Sequence, residues 1–251
     1  MIGGRRVPTI AVSREERPRR ALSADLACRV GIESGRPGES GIVTSAGVAY
    51  RGGMDRWAGL DSAPQLAASL LGTDSRRFRH TVGVASAAHA AAPAVPEDVV
   101  ELLVAAAWLH DIGYAEAVAD TGFHPLDGAR YLERIGAPQR LCRLVAHHTG
   151  SPVEARVRGL LDELTGEFPA EQSPTADALT YADMTTGPDG TPISAVERVS
   201  EILVRYPHEH VVHSSITMAA PLLLSTVARV ELRIAAAHAP VRPDPDPDPA
   251  D

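Results

Sequence analysis

The sequence predicts an all-α domain, a compact bundle of about six to eight helices between disordered tails. Three observations carry this expectation. Apolar residues from about 60 to 240 recur at helical spacing. The β signal is negligible, with few alternating runs, aromatic residues at 4% and no Asn-Gly or Asp-Gly pair placed between two strands. Proline and glycine fall where helices start and stop.

The elements follow in order. His80 shares a helical face with Gly83, Val84 and Ala87, at i+3, i+4 and i+7, so it points inward on a small apolar surface. Pro96-Glu97-Asp98 forms a good first turn, with acids at the positive end of the helix dipole. Val99 to Leu109 is then apolar nearly all round, as a buried central helix should be, and Gly113 stops it. His124-Pro125 opens a helix that closes near Gly136, and Ala137-Pro138 opens the next, closed by Gly150. Further helices are expected over 152–165, 175–184, 193–205 and 214–238.

The ends differ from this middle. Residues 1–53 carry nine arginines against five acids, a net +4, which leaves −12 of the chain's −8 total for the rest. Glycine and serine punctuate the segment and no apolar period lasts, so it is expected to be disordered. An alternative is a true start at Met54. The folded domain is then expected over 54–240, and the Pro-Asp repeats of 241–251 form a stiff, coreless tail.

Composition narrows the function. A net charge of −8 argues against nucleic acid or an anionic membrane as partner. No uninterrupted apolar run approaches the roughly 18 residues of a span. The two cysteines, Cys28 and Cys142, form neither a disulfide framework nor a thiolate zinc motif. With no secretory signal visible, the expected location is the cytoplasm. All 24 basic residues are arginine, so no lysine serves as Schiff base or phosphate anchor, and arginine, backbone amides or metal must hold any anion.

Six of the ten histidines lie between 80 and 148: His80, His89, His110, His124, His147 and His148. His110 and Asp111 sit together at the end of the buried helix, where a turn of the backbone lets both reach one ion. His148 follows Leu141, Leu144 and Val145 at i+7, i+4 and i+3, on the inward face, with His147 one step round. Asp183 shares a face with Leu179, and a carboxylate there is costly unless paired or metal-bound. Alone, His80 reads as a hydrogen-bonded core residue, His124 as a cap and Asp183 as an arginine partner. Their coincidence in one small domain argues for a metal. His89, His208, His210, His213 and His238 are read as structural.

The order His80, His110-Asp111, Asp183 resembles the H…HD…D pattern of the HD-domain metal-dependent phosphohydrolases, and His110-Asp111-Ile112-Gly113 is similar to their HDIG form. The likeness spans about residues 70 to 205. It implies an HD-type bundle in which His80, His110, Asp111 and Asp183 hold one divalent ion. Asp111 then bridges to a second ion completed by His124 and His148, with His147 as a further ligand. Imidazole and carboxylate suit Mn, Fe, Co, Ni or Zn, as one or two ions. His110 and Asp111 form the catalytic centre by activating water on the metal, and Arg77 and Arg79 flank His80 as candidates for the substrate phosphate.

The resemblance implies hydrolysis of a small phosphorylated substrate, a nucleotide or similar ester. Tyr114 after HDIG, where the cyclic-di-nucleotide phosphodiesterases carry lysine, and the lack of Gly-Tyr-Pro argue against that branch. The residues after His110-Asp111 also lack the acidic pair of the guanosine tetraphosphate hydrolases. His148-Thr149-x-x-Pro152 looks closer to small stand-alone bacterial members, including those similar to dinucleoside tetraphosphate hydrolases. Two alternatives are a di-iron oxygenase on the same scaffold and a non-catalytic metal-binding regulatory module.

Overall fold

The computed structural model describes residues 60–239. The expected tails, 1–53 and 241–251, and the alternative start at Met54 lie outside the described residues. Within them the chain is helical, with no strand and one isolated antiparallel bridge between Thr186 and Pro192.

Helix α1 (Ala63–Leu71) carries Pro64 in its first turn. Helix α2 (Arg76–Ala90) starts on Ser75, whose hydroxyl accepts the Phe78 N–H at 2.9 Å. After a 3-10 turn at Glu97–Val99 comes α3 (Val100–Leu109), which buries Leu102, Leu103, Ala105, Ala106, Ala107 and Leu109. Burial around most of its girth makes α3 the central helix its composition called for. Helices α4 (His124–Arg134) and α5 (Gln139–His147) pack against each other.

The single helix expected over 152–165 is two, α6 (Ser151–Arg158) and α7 (Leu161–Glu167). Gly159 between them has φ 74°, and its amide closes α6 on Ala155 and Arg156. A residue without Cβ enters that left-handed conformation freely, and the chain leaves the helix there.

Helix α8 (Pro174–Met184) is capped by Ser173, and α9 (Ala195–Arg205) by a reciprocal box of Ser194 and Glu197. Helix α10 (Val211–Ala237) is long and apolar enough to cross a membrane by length and composition. It packs instead on α6, α8 and α9. Its buried stripe is Ile216, Ala219, Leu223, Val227 and Val230, at spacings of three and four, the pattern of a helix lying on a domain.

The main core gathers Leu103 and Leu109 of α3 with Phe123, Leu126, Leu132, Leu141, Leu144, Phe168 and Leu179. A second cluster, Met184, Ile202, Ile216, Leu223 and Val227, lies under α10. Leu103 is fully buried. Leu103→Ala is therefore expected to cost about 2–5 kcal/mol, from lost transfer energy and the cavity left behind. Chemical denaturation measures this, and a loss below about 1 kcal/mol would place Leu103 outside the core.

Candidate metal centre

Four helix ends and the second turn of α2 build the site. Helix α2 brings His80 in its second turn. Helix α3 ends at Leu109; His110 keeps right-handed helical angles and Asp111 does not (φ −104°, ψ 4°). Their side chains therefore diverge. His124 opens α4, His148 follows the last residue of α5 with extended backbone (φ −63°, ψ 150°), and Asp183 lies one residue before the end of α8. His80, His110, Asp111, His148 and Asp183 are all buried, at 7% exposure or less.

These residues fall into two groups: His80, His110 and Asp183, then Asp111, His124 and His148. Within each, one ligand atom per residue lies within 4.8 Å of the others. In the first group His80 Nε2 is 3.0 Å from Asp183 Oδ1. In the second, His124 Nε2 is 3.3 Å from Asp111 Oδ1 and 3.2 Å from His148 Nε2. The other oxygen of Asp111, Oδ2, is 3.5 Å from His110 Nε2, so this carboxylate borders both groups.

Hydrogen bonding decides which ring nitrogens face the site. His80 Nδ1 lies 2.9 Å from the Gly187 carbonyl, and His110 Nδ1 lies 2.7 Å from that of Ala107. His148 Nδ1 lies 2.6 Å from the Val145 carbonyl. A carbonyl only accepts, so each Nδ1 carries the proton and donates it. Nε2 is thus the ring nitrogen turned into the site. His80 Nε2 lies against a carboxylate oxygen of Asp183, and His110 Nε2 is buried with no hydrogen-bond partner. Imidazole nitrogens and carboxylates turned on one another in a buried space suit a cation. Nε2 donors fixed by Nδ1–H to backbone carbonyls are also the usual construction of a histidine metal ligand. The donor set therefore fits divalent transition ions.

Electrostatics agree. Burial lowers His110 and holds His124 well below the ordinary histidine value of 6.5. For Asp111 burial works against ionisation, yet the Arg77 guanidinium, 2.7 Å from Oδ2, and the neighbouring histidines hold it well below the usual carboxylate range. Asp183 is held down likewise against burial, by the His80 hydrogen bond and Arg198.

All four shifts run downward on folding, so the unfolded chain binds more protons. The stability that His110 and His124 contribute is full above about pH 6.5 and is lost as pH falls below it. That of Asp111 and Asp183 is full above about pH 4 and is lost below. For chelator-treated protein, Tm is expected to fall steadily from pH 7 to pH 5 and more steeply below pH 4. A Tm unchanged between pH 7 and 5 would contradict neutral burial of the two imidazoles.

Two expected site residues are not brought in. His147 is the last residue of α5 and its Nε2 hydrogen-bonds the Phe168 carbonyl. The break after it sends His147 and His148 to different surroundings, so His147 joins neither ligand group. Arg79 is exposed and its Nη1 donates to the Asp74 carbonyl at 2.9 Å. Arg77, two residues earlier, faces Asp111 instead. Of the residues read as structural, His210 caps α10, accepting the Val212 N–H at 3.2 Å, and His213 bonds the Tyr206 carbonyl.

Three residues stand at the site without having been assigned to it from the sequence. Tyr114 stacks on His124 with ring centroids 3.9 Å apart and an 18° interplanar angle. Arg198, 6% exposed, lies 3.7 Å from Asp183 and 2.9 Å from Glu201. Its signal was an arginine on the buried stripe of α9, between Ala195 and Ile202. Asp127 is buried and accepts the amides of Asp120, Thr121 and Gly122, fixing the loop that leads to His124.

The cleft over the centre is small, about 90 Å³, and Arg77, Tyr114, Glu154, Arg198, Arg205 and Tyr206 rim it. A larger cavity of about 710 Å³ opens between α2, α8, α9 and α10. It is lined mostly by apolar residues such as Ala87, Val196 and Leu224 and holds none of the ligand residues. His80, Asp111, His124, His148 and Asp183 line the smaller cleft.

The family model of the HD domain matches residues 77–186, a span that runs from Arg77 past Asp183. Comparison with curated proteins and with solved structures gives no match. The matched span holds every residue of both ligand groups, on an all-α fold that is also that of HD domains. Residues 77–186 thus match the HD-domain model, which is consistent with the HD-domain superfamily, a family made up largely of metal-dependent phosphohydrolases.

Proposed function

We propose that this protein is a two-ion phosphohydrolase that cleaves a nucleotide or similar small phosphate ester. The observation that carries the proposal is the set of Nε2 atoms gathered against Asp111 and Asp183, one of them, on His110, buried without a hydrogen-bond partner. His80, His110 and Asp183 would hold one ion, and His124 and His148 a second. Asp111 lies against both groups and would bridge them. Bound there, Mn, Fe, Co, Ni or Zn supplies a water of lowered pKa and an electrophile for the phosphoryl oxygen.

The remaining steps fall to the protein. Arg77 Nη1 donates to Asp111 while its guanidinium rims the cleft, so its other N–H groups are placed to receive a phosphoryl oxygen in a fork. Glu154 and Arg205 also line the cleft. The cleft of about 90 Å³ has room for about three water molecules. A phosphoryl group enters it, and the rest of the substrate lies outside, across Tyr114 and Tyr206.

Elemental analysis of the full chain, purified without chelator, is expected to find close to two equivalents of transition metal. A panel of phosphate esters should then release phosphate in a reaction that a chelator stops and the same metal restores. Metal-loaded protein that consumes oxygen and releases no phosphate would favour the oxygenase instead.

A further inference from the structure

We propose that Tyr114 is a positioning residue that fixes the His124 imidazole in the second ligand group. The inference rests on the reading above that this group holds an ion. It starts from a difference among the four histidines. His80, His110 and His148 each have Nδ1 tied to a backbone carbonyl, which sets both tautomer and ring direction. Among the described residues His124 has no such tie. The ring stacked face to face on it is Tyr114, at 3.9 Å, while Phe123 and His148 meet it only edge-on.

The other contact of Tyr114 reinforces this. The Arg77 Cζ lies over the same ring, 3.7 Å from its centroid. Two groups so close to one centroid have room only on opposite faces, so the phenol ring is held between guanidinium and imidazole. Both of those touch Asp111, Arg77 at 2.7 Å and His124 at 3.3 Å. One ring therefore sets the placement of two partners of that carboxylate. Its own backbone is held in the 3-10 turn Ile112–Tyr114, with the Tyr114 N–H donating to the Asp111 carbonyl at 3.1 Å. A short, hydrogen-bonded turn carries Asp111 and its clamp on one rigid unit. Tyr114 remains 43% exposed, so burial of the ring in the core is not its main contribution.

The test is a Co2+ titration of the full chain by calorimetry and visible absorption, with wild type, Tyr114→Ala, Tyr114→Leu and Tyr114→Phe. Loss of a group that orients a metal ligand costs about 10–100-fold in metal affinity. The wild type is expected to bind two equivalents. Tyr114→Ala and Tyr114→Leu should keep the first and weaken the second about 10–100-fold, with a changed absorption band for the second step only. Tyr114→Phe, which keeps the ring, should match the wild type. An unchanged second step in Tyr114→Ala overturns the inference. So does equal weakening of both steps, which would mark a general loss of structure, and so does a Tyr114→Phe variant as weak as Tyr114→Ala. A wild type that binds fewer than two equivalents fails the two-ion reading itself, before any variant is compared, and removes the role with it.

Discussion

Asp111→Asn is expected to lower phosphate-ester hydrolysis by more than about 10³-fold while the helical fold persists. Removing a single donor that stabilises developing charge costs about 10²–10³-fold. Asp111 is placed to do more, because its two oxygens reach His124 at 3.3 Å and His110 at 3.5 Å, one in each ligand group. Asparagine keeps the volume but not the charge that attracts a divalent ion, and its nitrogen cannot ligate. Metal content should therefore fall together with turnover. The stability cost should be modest. Asp111 also pairs with Arg77, but that side chain keeps 30% of its surface in solvent, so once freed it turns to water. The loss should stay near or below about 2 kcal/mol. Phosphate release, metal content and Tm measured on one preparation check all three expectations. Undiminished turnover in Asp111→Asn would reject the assignment of this cleft as the active site.

Gly113→Ala should have the largest effect of any single added methyl. A Cβ on Gly113 would stand 1.9 Å from the His124 carbonyl oxygen and 2.8 Å from the Gly128 nitrogen. Both are backbone atoms, so no rotamer relieves the clash and α4 must move off the turn at residues 112–114. Overpacking costs about 1–3 kcal/mol and more where backbone must shift, so a loss of about 3 kcal/mol or above is expected. For a domain of this size that is a fall in Tm of roughly 6–12 °C. The movement also has a direction. It carries His124 away from Asp111, so the second equivalent of metal should be lost while His80, His110 and Asp183 keep the first. A Gly113→Ala protein with wild-type Tm and two bound ions would show that α4 does not need this close approach.

Much of the architecture was legible because its causes are local. The apolar run from Val99 to Leu109 marked the central helix, and the Pro and Gly residues that bound α4 marked its ends. His80 was placed inward by Gly83, Val84 and Ala87 at helical spacing, and in the fold it is 3% exposed. Asp183 was singled out as a carboxylate on an apolar face, and it is buried beside His80. The differences in local structure sit where a helix stops. The interval 152–165 was read as one helix because its pattern is continuous, and the left-handed Gly159 divides it. His148 was reasoned inward as if α5 continued, and it is buried as the first residue beyond the helix.

The sequence by itself determined that this is an all-helical domain whose buried helix ends in His110-Asp111, because hydrophobic period, caps and breakers act over a few residues. Only the tertiary structure decided how the ligands divide between two groups, with His110 joining His80 and Asp183 while Asp111 turns to His124 and His148. It also left His147 and Arg79 outside and placed Tyr114 and Arg198 at the centre. The physical reason is that these contacts join positions tens of residues apart, such as His80 and Asp183, through the docking of whole helices. Each further helical residue turns a side chain by about 100°. A helix that ends one residue earlier or later therefore chooses which of two neighbours faces the ligand cluster.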